Sequence, residues 1–483
     1  MSIKATDIHT CKTIDLYKLY KSKYGEVFMG NKGAIKKREK IFYGLGDMGN
    51  NVAYGAIGFY FVFFLTDVAG ISPLWAGYIF MVVRIWNAVC DLFMGVWSDR
   101  TRTRFGRRRP FLLFGAVPLG IGFALLWIVP FEGTTHLIIY YTLIGILFNT
   151  LYSLVSIPYN ALLPEMSQDY DERTSISGYK MAFSFVGSLL SAMGVTLIVD
   201  AIYPGKSMYI ESFPVMGKVL ALILVVCILF AFGGTKERVE PMKVEKQESL
   251  IKNLKSLLKL REFKIVLGVF IFNMVSFDII MALYIYFMKH VLKISDDLSY
   301  IFMAIPLVAA VIVTPLWVGI SNKIGKQKTY TISAIYFLIP LVSCMFIHAE
   351  SIVFTAAVTV LIGIGISASQ VLVFSILPDV VEVDELKNGV RREGIIYGST
   401  MLLYKISSAI IVAIVTAAMG WFGYVESVGN TVAVQTESTI LGIRLLMSGM
   451  PALCLVLSVL FIRKLAIGKE SFEHIKKSIT KTE

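Results

Sequence analysis

The sequence predicts an all-α integral membrane protein with twelve transmembrane helices in two pseudo-symmetric bundles of six. Three observations lead to this fold class: the length of the apolar runs, the distribution of basic residues between them, and a loop motif that occurs in both halves. Of the 483 residues, 56% are hydrophobic and 17% are charged, and the mean hydropathy is +0.70. A soluble domain carries about 25% charged residues, so the composition favours a membrane protein.

Apolar runs of about 20–28 residues are long enough to cross a bilayer as helices. Pro158 is predicted to kink or end the fourth run, because proline has no N–H to donate within a helix. The chain contains twelve such runs, at 41–66, 74–97, 110–131, 136–163, 179–200, 213–234, 263–288, 298–320, 328–347, 352–377, 394–423 and 438–462.

The basic residues between the runs lie in alternate gaps. One set of gaps, together with the termini, contains 39 Lys and Arg residues, and the other set contains 3. Loops rich in Lys and Arg stay in the cytoplasm. The pattern therefore predicts a multi-pass protein of the plasma membrane with both termini inside. It also accounts for the net charge of +12 without a nucleic-acid partner. The remaining four of the 46 basic residues lie deeper within runs: Arg84, Lys218, Lys405 and Arg444.

The gap 235–262 divides the runs into six and six. It contains KNLKSLLKLREF, in which leucines recur at helical spacing opposite lysines. This pattern predicts a helix on the cytoplasmic membrane surface, with a solvated linker as the alternative. The expected segments are a cytoplasmic N-terminal segment 1–40, a bundle 41–234, the linker 235–262, a second bundle 263–462 and a basic tail 463–483.

A loop motif occurs at corresponding positions of the two halves. GVWSDRTRTRFGRRRP (Gly95–Pro110) follows the second run, and GISNKIGKQK (Gly319–Lys328) follows the eighth. Each loop pairs a short polar side chain with a cation and continues with glycine and further cations. The loops could be ordinary basic loops, but their matched positions favour a transporter built from two related halves.

Arg84, Asn87 and Asp91 lie on one helical face of the second run. A charge in mid-bilayer costs about 2.5–3.5 kcal/mol or more, so these residues need partners or water. They could form an ion pair that only locks helices together. The alternative is a water-filled central cavity. Its lining would also include Asp47, Asn50, Asn51, Tyr152, Ser156, Asn160, Lys180, Asn273, Asp278, Gln370 and Lys405.

Four blocks of the sequence resemble the major facilitator transporters and, within them, the glycoside–pentoside–hexuronide cation symporter family. The resemblance implies uphill uptake of a sugar or glycoside coupled to sodium, lithium or a proton, in symport. The blocks are YGLGDMGNN (43–51), RIWNAVCDLFMGVWSDRTRTRFGRRRP (84–110), SIPYNALLPEMSQDYDERTSISGYK (156–180) and LPDVVEVDELKNGVRREG (377–394).

The resemblance implies a cation site in the second run. Melibiose permease-like members use two aspartates four residues apart, followed by proline; here these positions hold Asn87, Asp91 and Leu92. The position that carries a further polar cation ligand in such members holds Cys90 here. The nearby hydroxyl of the fourth span is retained as Ser153. Sodium needs several hard oxygen ligands, and a thiol is a poor ligand for a hard ion. We therefore expect proton coupling through Asp91, with sodium coupling or weakened coupling as the alternatives.

The resemblance also implies substrate-binding positions. A span-1 acid, a span-4 acid and a span-5 arginine of the family correspond to Asn51, Ser156 and Lys180. The aromatic residue after the I-P-[FY] pattern corresponds to Asn160, and Tyr159 remains as a nearby aromatic side chain. The full expected set is Asn51, Asp47, Arg84, Tyr152, Ser156, Asn160, Lys180, Gln370 and Lys405.

Lys405 matches a span-11 lysine of the family. We expect it to contact Asp91 or Asn87, as part of the mechanism or only to balance a buried acid. Asp278 could pair with a span outside the transport path, and Arg444 is expected to balance charge at the side of the bundle.

Charged residues at the cytoplasmic ends are expected to form a gate whose salt bridges close the inside in the outward-open state; solvated loop charge is the alternative. The gate residues are Asp99, Arg100, Glu165, Arg173, Asp379 and Glu382, with Asp169, Asp171, Glu172, Asp384 and Glu385 beside them.

Other classes of protein fit less well. An enzyme would need a nucleophile–base pair or a metal cluster, and the five histidines lie at or outside the ends of the runs. We expect no cofactor, no bound metal, no disulfide, no secretory leader and a monomer that contacts lipid. Transport of a lysolipid or a drug is the remaining alternative to sugar transport.

Overall fold

The computed structural model describes residues 35–167, 170–202, 209–238, 250–294, 296–347, 352–388, 392–426 and 434–465. Within these residues the chain is almost entirely helical and forms no β-strand, which confirms the all-α class. Most of the predicted N-terminal segment, the end of the basic tail, Asp169 and Arg391 lie outside the described residues.

The first half contains six helical runs. α1 begins as the α-helix Lys37–Ala56 and continues to residue 68 through two π-helical turns, Ile57–Phe61 and Phe64–Val68. The others are α2 (Pro73–Arg100), α3 (Arg109–Leu125), α4 (Thr134–Met166), α5 (Tyr170–Ile202) and α6 (Tyr209–Gly234).

The second half repeats the arrangement after a short linker helix, α7 (Leu250–Leu257). Its first run, α8, begins as Arg261–Tyr286 and ends in the π-helical turn Phe287–Val291. The remaining runs are α9 (Asp296–Ile324), α10 (Lys326–Ser343), α11 (Ile352–Asn388), α12 (Glu393–Trp421) and α13 (Glu437–Ile462).

Nine helices in the described part of the chain are long and apolar enough to cross a membrane. α1, α3 and α10 occupy the positions of the remaining predicted spans, so the helix pattern is consistent with twelve. The prediction that Pro158 could end the fourth run is wrong, because α4 continues through it to Met166. Large apolar side chains cover the outer surface, as lipid contact requires: Phe93, Phe114, Leu143, Ile312 and Phe346 are all more than 60% exposed.

The loops 98–109, 235–238 and 321–328 lie at one end of the bundles, here called the basic end. The end that carries residues 67–72, 290–294 and 422–426 is the opposite end. The halves meet where α2 packs on α12, α5 on α9 and α1 on α8. α2 and α12 approach closely at Gly77, where a Cβ atom would lie 2.8 Å from the carbonyl oxygen of Ala413.

Glycine also permits close packing of α1 on α5 within the first half. A Cβ atom at Gly187 would lie 2.5 Å from the backbone oxygen of Met48, whereas one at Gly178 on the same helix would meet nothing within 4 Å. Backbone atoms cannot move aside as a flexible side chain can, so the close approach depends on the absence of a side chain at Gly187.

We predict that Gly187→Ala lowers the apparent melting temperature of the purified protein in detergent by several degrees, because α5 must move away from α1. Gly178→Ala is the matched control and should leave the melting temperature unchanged or slightly higher, since alanine favours helix over glycine by about 0.5–1 kcal/mol. Equal melting temperatures for the two variants would contradict the packing described here.

Candidate functional site

Four polar side chains form a closed ring where α2, α4 and α12 meet. Lys405 Nζ donates to Asn87 Oδ1 at 2.8 Å and forms an ion pair with Asp91 Oδ2. Ser153 Oγ donates to Asp91 Oδ1 at 2.6 Å and accepts from Asn87 Nδ2 at 3.0 Å. The structure thus brings the three residues expected at a cation site together with Lys405, and Lys405 makes both of the contacts considered from the sequence.

The geometry of α2 explains this ring. Asn87 and Asp91 are four residues apart, so they lie one above the other on the same face. Cys90 lies on a neighbouring face, and its sulfur is 3.8 Å from Thr150 Oγ1 rather than within the ring. The ring therefore contains one carboxylate, one ammonium, one amide and one hydroxyl.

A second group of charges lies along the same interface and includes Arg84 and Asp278. The Arg84 guanidinium lies 5.0 Å from the ring centre of Phe80 and 5.4 Å from that of Tyr54. It interacts electrostatically with Asp278 of α8. Asp278 is 5% exposed, and its interaction with Arg84 of the first half places it at the interface of the halves and not against a span outside the path.

Side chains of helix α12 bind both carboxylates of this interface, Asp278 and Asp91. Tyr404 OH donates to Asp278 Oδ2 at 2.8 Å, and Ser408 Oγ donates to the same oxygen. Lys405, next to Tyr404 in the chain, reaches Asp91 in the other half. Sequence reasoning missed Tyr404 and Ser408. Their spacing of four residues around Lys405 was the available signal, because it places two hydroxyl groups on one helical face.

A polar cluster within the first half contains four of the expected substrate-binding residues. Lys180 Nζ donates to Asn160 Oδ1 at 2.6 Å and lies 3.7 Å from Asp47 Oδ1. Asn51 Nδ2 donates to Asp47 Oδ2 at 3.1 Å and to its backbone oxygen at 2.9 Å. Asn160 Nδ2 donates to the backbone oxygen of Ser156 at 2.8 Å. The cluster joins α1, α4 and α5.

The other expected residues differ in position. Tyr152 lies between the cluster and the ring, because it interacts electrostatically with Asp47, Asp91 and Arg84. Gln370 is half-buried on α11. Tyr159 links α4 to α1, since its ring stacks on Tyr43 at 4.6 Å and its hydroxyl donates to the Tyr43 carbonyl at 2.6 Å.

Asn273, expected in the cavity, and Arg444, expected at the side of the bundle, both bind within the second half. Asn273 Nδ2 donates to Tyr330 OH at 2.9 Å within the second half, and that hydroxyl is 2.7 Å from Ser458 Oγ. Arg444 Nη1 donates to the backbone oxygen of Met345 at 3.0 Å.

At the basic end of the first half, Arg108 contacts two expected gate residues. Its guanidinium forms ion pairs with Asp99 and, at 2.9 Å, with Glu165 Oε1. Arg107 also pairs with Glu165. Arg173 instead donates to the backbone oxygens of Ser167 at 2.6 Å and Pro164 at 3.3 Å, beside the end of α4. Arg100 is exposed.

Glu237 is a residue that sequence reasoning missed. Its carboxylate accepts from the backbone N–H groups of Arg107, Arg108 and Arg109 at 2.6, 2.7 and 3.1 Å. These groups lie at the N-terminus of α3, where a negative charge is favoured by the helix dipole. Gly106 has φ = +104° and lacks the Cβ atom that would lie 2.6 Å from the Glu237 carboxylate.

The second half has its own pairs at the basic end. Lys326 Nζ lies 2.6 Å from Asp379 Oδ1, and Arg392 Nη2 lies 2.5 Å from Asp384 Oδ1. Glu382 is half-buried on the same helix as Asp379. Asp379 follows Leu377-Pro378 as Glu165 follows Leu163-Pro164, so the two halves use equivalent acids.

These pairs bear on the gate expected from the sequence. The acids are expected to form bridges that close the basic end in the outward-open state; in the conformation described here the pairs each join residues of one half, and the gate stays a prediction. In this conformation they hold neighbouring helices of a bundle together and do not hold the two bundles to each other.

The fold and the buried charges at the interface define a multi-pass membrane transporter with the major facilitator architecture. A family model described as MFS/sugar transport protein matches residues 42–469. The chain belongs to this family, which confirms the resemblance drawn from the sequence, and the protein is a transporter and not an enzyme.

Individual transporters that are similar to this chain are consistent with this family. The sodium-dependent lysophosphatidylcholine symporter 1-A of Danio rerio is 27% identical, over 93% of this chain and 89% of its own. The isoprimeverose transporter of Lactiplantibacillus pentosus is 28% identical, over 82% of this chain and 83% of its own. A solved structure of a proton-dependent oligopeptide transporter has a TM-score of 0.65 at 14% identity, with 91% of this chain and 99% of that chain covered, and it supports the fold.

We predict that Asp91→Asn and Lys405→Met each lower the apparent melting temperature in detergent, because each leaves one charge without its partner. The double variant removes both charges and should lose less stability than the sum of the two, by about 0.5–3 kcal/mol. Asp91→Asn combined with Lys218→Met is the control and should be additive, since Lys218 is exposed. Additivity of Asp91 with Lys405 would contradict the ion pair.

Proposed function

We propose that the protein is a proton-coupled symporter of a sugar or glycoside that works by alternating access. The observation that carries the proposal is the ring in which Asp91, the only acid present, is bound to Lys405 of the other half. Protonation of Asp91 changes a contact between the two halves and so can be coupled to their relative movement.

Proton coupling fits this ring better than sodium coupling. A sodium ion needs several oxygen ligands at once, and here the Lys405 ammonium already occupies the Asn87 and Asp91 oxygens. A proton needs only a single carboxylate oxygen, and Asp91 supplies one. When Asp91 accepts a proton, Lys405 loses its anionic partner and the bond between α2 and α12 weakens. Sodium coupling is the alternative, because the Danio rerio relative is named sodium-dependent.

The polar cluster of Asp47, Asn51, Asn160 and Lys180 is the proposed sugar-binding surface. Its carboxylate, amides and ammonium can bind paired hydroxyl groups. The isoprimeverose transporter supports this substrate class, whereas the lysophosphatidylcholine symporter keeps a lysolipid as the second candidate.

The basic end is proposed to face the cytoplasm, because loops rich in Lys and Arg are retained there. This orientation places both termini inside the cell, in the plasma membrane, and makes uptake the direction driven by an inward proton gradient. We propose a monomer, since each ring and cluster described above is complete within one chain.

The first experiment measures sugar-induced alkalinisation of unbuffered cell suspensions, with and without sodium, for a panel of pentosides, hexuronides and disaccharides. We expect a signal that is independent of sodium and is lost in Asp91→Asn. The control Glu132→Gln removes an exposed carboxylate at the opposite end and should keep the signal. Uptake that sodium stimulates without alkalinisation would overturn proton coupling. Uptake of lysophosphatidylcholine alone would overturn the sugar class.

We further predict that Lys180→Gln raises the sugar concentration for half-maximal uptake about tenfold, because a hydrogen bond to a charged group contributes about 1.5–3 kcal/mol. Lys218→Gln removes an exposed lysine of the same half and should leave this concentration unchanged. The measurement is initial uptake rate against concentration of the most active panel sugar. An unchanged value in Lys180→Gln would remove the cluster from the binding site.

A further inference from the structure

The two halves are bound together at the opposite end by contacts that sequence reasoning did not anticipate. Asp67 lies in the last turn of α1. Both of its carboxylate oxygens lie close to Tyr424 OH of the second half, at 2.7 and 2.6 Å. Thr66 Oγ1 donates to Asp67 Oδ2 at 2.7 Å and lies 2.7 Å from Tyr286 OH of α8. Asp67 and Tyr424 are only 6% and 5% exposed.

Further groups surround this contact. His290 Nε2 lies 3.9 Å from Asp67 Oδ1 and 3.3 Å from Tyr424 OH. Lys289 Nζ donates to Tyr209 OH of α6 at 2.5 Å and lies 4.6 Å from the ring centre of Phe63. The contacts join α1 and α6 of the first half to α8 and the end of α12.

Asp67 and His290 occupy equivalent positions of the two halves. The sequence at the end of α1 is FLTDVAGIS (64–72), and at the end of α8 it is FMKHVLKIS (287–295). Both segments begin with a π-helical turn and reach a residue with positive φ, Gly70 at 67° and Lys293 at 51°. Matching backbone bonds close both turns, from Ala69 N to Phe64 O at 2.9 Å and from Leu292 N to Phe287 O at 3.0 Å.

This repeated turn places an acid opposite a histidine where the halves meet. A buried carboxylate is stable only while hydrogen-bond donors replace its water. Tyr424 and His290 belong to the second half, so separating the halves at this end removes these partners from Asp67 and exposes it to water. At the basic end, by contrast, the described ion pairs remain within one half and do not resist separation.

We propose that Asp67, held by Tyr424 and His290, is the residue that keeps the opposite end closed and so sets the balance between the two access states. The proposal rests on alternating access and not on the identity of the substrate or the coupling ion. Asp67 acts through the arrangement of the halves and is therefore a positioning residue for transport.

The test uses a cysteine introduced below this contact. Met281 is 5% exposed and packs against Gly58 of α1, where a Cβ atom would lie 2.6 Å from its methyl carbon. It is nine residues before His290, which is roughly 14 Å along the helix. In Met281→Cys, a membrane-impermeant thiol reagent should react only when the opposite end opens. The described native cysteines, Cys90, Cys227, Cys344 and Cys454, are buried, and the parent without Met281→Cys measures their background labelling.

We expect Asp67→Ala and Tyr424→Phe to raise the labelling rate of the Met281→Cys reporter roughly 5–30-fold, which is the change that one or two hydrogen-bond energies produce in an equilibrium. Asp67→His with His290→Asp exchanges the two side chains across the halves and should return the rate toward that of the parent. Equal labelling of the parent, Asp67→Ala and Tyr424→Phe would overturn the proposal.

A second reporter separates opening from loss of structure. Asn160 is exposed in this conformation, so Asn160→Cys should label in the parent and more slowly in the Asp67 and Tyr424 variants, because opening one end closes the other. Faster labelling at both reporters would indicate unfolding and would contradict a gating role. Neither measurement requires a substrate, so failure of the sugar assay and failure of this proposal are distinguishable.

Discussion

The ion pair between Lys405 and Asp91 is the interaction on which the arrangement of the two bundles depends. Midway along the shared interface, each half places one cation and one anion: Arg84 and Asp91 from the first, Asp278 and Lys405 from the second. An uncompensated charge at this depth costs about 2.5–3.5 kcal/mol or more. Pairing across the interface removes this cost only while the halves remain in register. The same charges that make the interface polar therefore also define how the bundles sit against each other.

The two ends of the molecule use polar contacts differently. At the basic end, Glu165 and Asp379 bind cations of their own bundle, and Glu237 ties the loop after α6 to the start of α3. Such bonds stiffen each bundle, so that its helices move as a unit. At the opposite end the bonds run between bundles. Each bundle is thus stiff within itself and is bonded to the other bundle at one end. A rocking movement of the two bundles requires this arrangement.

The fold and the central ring were largely predictable, because they depend on local patterns. Run length and basic loops located the helices, and the four-residue spacing of Asn87 and Asp91 put them on one face. Tyr404 and Ser408 were missed because their importance depends on which helix packs against α12. Glu237 and Asp67 were missed for a related reason: an acid beside a helix end resembles an ordinary loop charge until the tertiary structure shows what its carboxylate binds. Glu165 and Asp379 form ion pairs, but the sequence could not say whether a partner came from the same half.

The equivalent turns that end α1 and α8 have the same backbone but different side chains, so the two halves are not exactly symmetric at this point. Two identical halves, associated as a homodimer, would place the same side chain twice across the axis, and so would set carboxylate against carboxylate where Asp67 stands. Like charges repel, and that arrangement could not hold the surface closed. An acid can face a histidine here only because the halves are one covalent chain whose copies of the turn have diverged. The attraction between Asp67 and His290 therefore requires that the two copies of the turn differ in sequence.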